Sequence, residues 1–250
     1  MVPATLFSLT GKNALISGGG TGIGKAIAHA FSDAGAKIAI VGRREAMLSE
    51  ALEGRNGVAI ATDLMAEDAP QTIYDACAEA DALPDIIVNA AGLNPRKHAD
   101  DVTPDVWRQT LHLNLSVPFF LAQIFAPNMK QNNWGRIINI ASLQSNRAFT
   151  NGISYGASKG GVSQLTRAMA EAWSKDGIIV NAIAPGFFPT ELTAAVFGDD
   201  EVSKHHASMT CIGRNGELSD LTGPALFLAS DASAYVTGQI INVDGGYTAK

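Results

Sequence analysis

The chain holds only two cysteines in 250 residues, Cys77 and Cys211, far apart and in no metal-binding or redox spacing. That excludes a disulfide framework and a thiolate metal site, and it suits a reducing compartment. Long apolar runs are missing as well. No stretch approaches the roughly 18 uninterrupted apolar residues of a membrane span, and Met1-Val2-Pro3-Ala4-Thr5-Leu6 lacks the basic region and apolar run of an export signal. The protein therefore reads as soluble and cytoplasmic, with no membrane partner. Basic charge is scarce: Lys and Arg total 18 against 24 Asp and Glu, a net charge of -6, with the two signs interspersed. No basic face is offered to a phosphate backbone, so nucleic acid is not an expected partner. The remainder is ordinary globular composition, 46% hydrophobic and 17% charged. A chain of this length buries about three quarters of its extended surface, which predicts one domain over residues 1–250.

Short aliphatic runs alternate with amphipathic stretches along the chain. Asn13-Ala14-Leu15-Ile16-Ser17 reads as a strand, Gly18 to Gly24 as a glycine-dense turn, and Lys25 to Ala34 as a helix. Glycines between a strand and a helix let backbone N–H groups approach a diphosphate at the positive end of the helix. The spacing is Gly18-x-x-x-Gly22-x-Gly24 rather than the usual dinucleotide fingerprint. A second strand, Lys37 to Val41, ends at Gly42-Arg43-Arg44, about 20 residues past the turn, where dinucleotide sites place a ribose-binding acid. Here that acid is absent. Arg43, with Arg44 beside it, pairs with a 2'-phosphate where a carboxylate would repel it, which points to NADP, with NAD as the alternative.

Further strands are expected at Val58–Ala61, Asp85–Asn89, Gly135–Ala141, Gly177–Ile183 and in Gly238–Gly246, with helices over 66–80, from Thr103-Pro104 past Phe119, after Tyr155, and over Glu217–Ser230. Asp63 follows the third strand, placed either to bond adenine or to cap the next helix. Asn89 with Ala90, Ala91 and Gly92 leaves room for adenosine. The mixed region from about 187 to 212 reads as a mobile lid, and the adjacent His205 and His206 as solvated surface rather than a metal site. The alternation predicts a doubly wound parallel sheet with its ligand at the carboxyl ends of the strands.

The chemistry concentrates between Ser142 and Lys159. Tyr155 and Lys159 lie four apart on a helical stripe and share one face. Bringing a phenol from a pKa of about 10 to neutrality takes roughly 4 kcal/mol. A cation about 4 Å away in an effective dielectric of about 20 supplies that amount, and Lys159 is the expected source. Ser142 ends a buried strand, so a substrate oxygen fits between its hydroxyl and the Tyr155 phenol.

Together Ser17-Gly18-x-x-x-Gly22-x-Gly24, Asn89-Ala90-Ala91-Gly92, Asn114, Ser142, Tyr155-x-x-x-Lys159, Pro185-Gly186 with Thr190, and Val243-Asp244-Gly245-Gly246 resemble the short-chain dehydrogenase/reductase family over nearly the whole chain. Ala90 departs from the family, which often has a second Asn there. The resemblance implies a Rossmann-type fold of about seven strands with helices on both faces. It implies Tyr155 as acid/base, Lys159 as its electrostatic partner and nicotinamide-ribose ligand, Ser142 orienting the carbonyl, and Asn114 holding a relay water. It also implies a cofactor lining of Ser17, Gly18, Thr21, Gly22, Ile23, Gly24, Arg43, Asp63, Leu64, Asn89, Ala90, Gly92, Pro185, Gly186, Phe188 and Thr190, the last at the nicotinamide carboxamide. Within the family the chain is most similar to gluconate 5-dehydrogenases and other sugar-acid or polyol oxidoreductases, through 91–98, Ser142–Ser145 and 184–193. Arg96 and Arg147 are then the candidate carboxylate ligands, with Ser142, Gln144 and Tyr155 completing the substrate site. A 3-oxoacyl-thioester reductase shares every catalytic residue and is the rival reading; a non-catalytic nucleotide-binding regulator is disfavoured by the intact residue set. The resemblance also implies a homotetramer.

Overall fold

β-branched side chains buried on both faces suit a parallel ladder, and the aliphatic runs are strands for that reason. In the computed structural model, which describes residues 4–250, they are β1 (Asn13–Ser17), β2 (Lys37–Gly42), β3 (Gly57–Ala61), β4 (Ile86–Asn89), β5 (Gly135–Ile140), β6 (Ile178–Pro185) and β7 (Ile240–Val243). Met1–Pro3, half of the N-terminal stretch considered above, lies outside the described residues. The strands form one parallel sheet in the order β3-β2-β1-β4-β5-β6-β7. This is the expected doubly wound Rossmann-type arrangement. The order reverses between β1 and β4, so successive crossovers diverge to opposite faces and leave a crevice at the carboxyl edge.

Alternation along each strand divides the core. Ala14 and Ile16 of β1 join Ile27 and Phe31 of α1 (Gly22–Asp33) and Leu228 of α9 (Thr222–Ala229) on one face. Leu15 turns to the other face, against Ile73 of α3 (Ala69–Glu79), Phe125 of α5 (Val117–Gln131) and Met169 of α6 (Ile153–Trp173). The remaining helices are α2 (Glu45–Leu52), α4 (Pro104–Leu111), α7 (Ala194–Phe197) and α8 (Asp200–Ser208). The last two lie in the segment read from sequence as a lid. No helix of the described residues is long and apolar enough to cross a membrane.

The single long helix expected from Thr103 past Phe119 is interrupted. Between α4 and α5, His112–Ser116 is wound as a π-turn. Pro118 explains the break: it has no N–H to return to the Asn114 carbonyl four residues back, so that carbonyl loses its α-helical donor. Proline also shortens two other expected helices. Pro70 lies in the first turn of α3, which starts at Ala69 rather than 66, and Pro224 in that of α9, with Leu218–Leu221 a separate helical turn before it. Asp68, not Asp63, occupies the N-cap position of α3.

The turn between β1 and α1 is where glycine is required. Gly18 has φ +67°, and a Cβ on Gly24 would lie 2.3 Å from the Gly18 carbonyl oxygen. Gly24→Ala is expected to cost about 1–3 kcal/mol through backbone displacement. Gly20→Ala, whose new methyl comes nearest the end of the Leu48 side chain at 3.3 Å and otherwise makes ordinary contacts at 3.5 Å and beyond, is expected to cost less than about 1 kcal/mol. Urea unfolding of the two variants checks this, and equal losses would contradict it.

Candidate active site

A single cavity of about 850 Å³ runs along the carboxyl edge from Arg43 and Asp63 at one end, across the glycine turn, to Ser142, Tyr155 and Lys159 at the other. Of the residues expected to bind cofactor, Gly18, Thr21, Gly22, Ile23, Gly24, Arg43, Asp63, Leu64, Ala90, Gly92, Pro185, Gly186, Phe188 and Thr190 line it. Ser17 and Asn89 do not, and neither does Asn114 of the expected catalytic set. They form the wall behind, because each finds its partners in the backbone and neighbouring strands.

Ser17 Oγ accepts from the N–H groups of Ala90 at 3.1 Å and Ala91 at 3.2 Å, pinning the segment after β4 to the end of β1. Asn89 Nδ2 donates to Asn139 Oδ1 at 2.8 Å across the β4–β5 pairing, and Asn139 in turn donates to Thr166 Oγ1 of α6 at 3.0 Å. Asn114 acts like a strand residue in side-chain form. Its Oδ1 accepts from Leu93 N–H at 2.9 Å and its Nδ2 donates to Leu93 O at 2.9 Å. Nδ2 also donates to Ser158 Oγ at 3.0 Å, and Ser158 donates to the Tyr155 carbonyl at 2.7 Å. Ser158 was not singled out from sequence, although its position three residues after Tyr155 puts it on the same helix face.

Tyr155 and Lys159 are 8% and 5% exposed, so both titrate inside protein rather than in water. Burial raises the Tyr155 pKa, while a hydrogen bond with Ser142 and the charge of Arg96 pull it down; burial prevails. Lys159, the cation expected to lower this phenol, lies close to it and bonds to the backbone. Its Nζ lies 5.6 Å from the phenol ring centroid and donates to the Ile140 carbonyl at 2.6 Å. Burial drives its own pKa down to about 8. Arg96 adds a lowering charge from an exposed position with φ +49°, anchored by Nη2 to the Leu192 carbonyl at 3.1 Å.

The two loop arginines separate. Arg96 lines the cavity, whereas Arg147 stacks over Tyr247, 5.4 Å from its ring centroid, and donates to its carbonyl at 3.0 Å. Arg147, expected beside Arg96 as a carboxylate ligand, does not line the cavity. Gln144 lines the cavity, with its Oε1 buried and unpartnered. Asp63 lines the cavity and accepts from Met65 N–H at 3.0 Å. Arg44 makes a bidentate ion pair with Glu191, at 2.9 and 2.8 Å, that the sequence did not signal. His206 is not the solvated residue expected. Its ring stacks on Phe187 at 3.7 Å, and Phe187 lines the cavity. Among the described residues no group of three or more His, Cys, Asp and Glu is placed to hold a metal.

Lys159→Met is expected to stabilise the protein by about 2 kcal/mol at pH 7, since it removes a desolvated charge. The sign follows from the lowered folded pKa. From about 8 to the ordinary 10.5 the unfolded chain keeps the proton that the folded one has lost, so wild-type stability climbs with pH and the advantage of the variant shrinks. Urea unfolding at a series of pH values checks this; an advantage that grows above pH 8 would contradict it.

The glycine turn also fits a dinucleotide. Thr21, the N-cap of the 12-residue α1, makes no side-chain cap hydrogen bond, and Gly22, Ile23 and Gly24 of the first turn line the cavity, where helix N–H groups suit a diphosphate. Known proteins agree with this layout. The family profile described as Enoyl-(Acyl carrier protein) reductase matches residues 18–248. The chain is 40% identical to a galactitol 2-dehydrogenase (L-tagatose-forming) of Cereibacter sphaeroides over 98% of each chain. It is 41% identical to a 2-dehydro-3-deoxy-D-gluconate 5-dehydrogenase of Bacillus subtilis over 98% of this chain and 97% of that one. A gluconate 5-dehydrogenase from Burkholderia cenocepacia, solved in complex with NADP and tartrate, superposes with a TM-score of 0.93 at 37% identity over 98% of both chains. A glycine turn on β1, Ser142 at the end of β5 and the Tyr155–Lys159 pair on α6, read with these matches, place the chain in the short-chain dehydrogenase/reductase family of NAD(P)-dependent oxidoreductases.

Proposed function

We propose that this chain is an NADP-dependent oxidoreductase that interconverts a secondary alcohol and a ketone on a sugar acid or polyol. The observation that carries the reading is the shared cavity: Ser142, Tyr155 and Lys159 stand at one end of a space whose other end is the glycine turn and Arg43, with Arg96 beside the phenol. The similarity to a sugar-alcohol dehydrogenase, a sugar-acid dehydrogenase and a structure solved with NADP and a hydroxy-dicarboxylate supports the substrate class and the cofactor.

Bound in this cavity, the nicotinamide cofactor supplies the hydride chemistry. The chain's residues supply position and protonation. Arg43 is exposed at the end of β2 and free of ion pairs among the described residues, so it is available to a 2'-phosphate. Ser142 and Tyr155 present two hydroxyls to one substrate oxygen. In the reducing direction the buried phenol gives its proton to that oxygen; in the oxidising direction it must first lose one. Because burial raises its pKa, reduction is expected to hold through neutrality and to fall only at alkaline pH, whereas oxidation rises with pH. Lys159 holds its proton below about pH 8 and steadies the end of β5 through Ile140. Asn114, whose carbonyl Pro118 leaves without an α-helical donor, would accept from a relay water. The exposed Trp107, Phe120 and Ile153, on α4, α5 and α6, support assembly as a homotetramer through those helices.

Initial rates of NADP+ and NAD+ reduction across sugar acids, neutral polyols and simple secondary alcohols test the reading, alongside NADPH oxidation with 3-oxoacyl thioesters. Selective NADP+-dependent turnover of a sugar acid or polyol is expected. Turnover of acyl thioesters alone would overturn the substrate class and leave the catalytic residues standing. Tyr155→Phe should reduce kcat by at least about 10³-fold while cofactor binding persists. Arg96→Gln should raise KM for acids more than for neutral polyols; equal effects would remove Arg96 as a carboxylate ligand.

A further inference from the structure

The Arg44–Glu191 pair is unusual in where it runs. Arg44 follows β2, at the end of the cavity expected to take adenosine, and Glu191 follows Thr190 on the opposite wall. The two are joined by parallel bonds of 2.9 and 2.8 Å, and their side chains are 56% and 64% exposed. Both residues line the cavity, so the pair bridges its two walls. Arg44 also holds the Glu191 carboxyl below its usual pKa range, keeping it ionised at neutral pH.

From this geometry we infer that Glu191 is a specificity-determining residue: it competes with the cofactor's 2'-phosphate for the Arg44 guanidinium and so moderates the preference for NADP over NAD. The inference rests on the NADP reading above and deepens it. Three physical points support it. Arg44 directly follows Arg43 at the strand end where a 2'-phosphate is met by arginine. A phosphate offers the same bidentate acceptor geometry as a carboxylate, with more charge, so the exchange of partners is geometrically conservative. An exposed ion pair contributes little net stability, so the contact is replaceable rather than structural. NAD carries no group that needs Arg44, and for it the pair stays closed.

The test is calorimetric titration of wild type, Glu191→Gln, Arg44→Met and the double variant with NADP+ and with NAD+. Glu191→Gln is expected to tighten NADP+ roughly two- to fivefold and to leave NAD+ unchanged. Arg44→Met weakens NADP+ selectively, and in that background Glu191→Gln loses most of its effect. Unchanged or weaker NADP+ binding by Glu191→Gln overturns the inference, and so does equal tightening of both cofactors. A full effect retained without Arg44 also overturns it, because Glu191 would then act by charge alone. A wild-type protein that binds NADP+ no better than NAD+, but gains NADP+ affinity on Glu191→Gln, would keep the competition and remove the preference. Failure of the wild type to bind NADP+ sinks both.

Discussion

The burial of two titratable groups, the Tyr155 phenol and the Lys159 ammonium, is the constraint on which the rest of the site depends. A charge taken out of water must be met by fixed dipoles, and here the Ile140 carbonyl at the end of β5 meets it at 2.6 Å. This ties α6 to the sheet at the place where Ser142 leaves it. Lys159 still holds its proton less firmly than in water, so the site keeps its cation at a cost to the fold. The phenol, equally buried, is kept protonated near neutrality and opposed only partly by Ser142 and Arg96.

Behind the cavity a second layer of polar side chains gives the carboxyl-edge loops their shape. Ser17 binds the loop after β4 from one side, and Asn114 binds the same loop from the other through Leu93. The Asn89–Asn139–Thr166 chain crosses from β4 through β5 to α6 within the buried core. Apolar residues there would pack equally well, but they would leave the N–H groups of Ala90 and Ala91 without partners. The polar layer thus converts a hydrophobic sheet into a rigid frame for residues that must meet a substrate within a few tenths of an ångström.

How much of this was readable from sequence varies with the range of the interaction. The strands, the glycine turn and the Tyr155–Lys159 helix are local patterns of period and small side chains, and they are where the sequence places them. Pro118 was equally readable as a break after Asn114, but the apolar stripe through Leu111, Leu115 and Phe119 concealed it. Arg96 and Arg147 look alike as loop arginines, and only the fold of the C-terminal turn around Tyr247 distinguishes them. The Arg44–Glu191 pair spans 147 positions, and no local signal announces it. Likewise the sequence puts Lys159 beside Tyr155 but does not show that its ammonium turns to Ile140.

The protonation of Tyr155 is the most direct measure of this account. A spectrophotometric titration of the phenols in wild type, minus that of Tyr155→Phe, isolates Tyr155 from Tyr74, Tyr235 and Tyr247. In the cofactor-free protein it should ionise above the ordinary value of about 10, and Arg96→Gln should move it higher still. Ionisation at or below that value, indifferent to Arg96, would contradict the account.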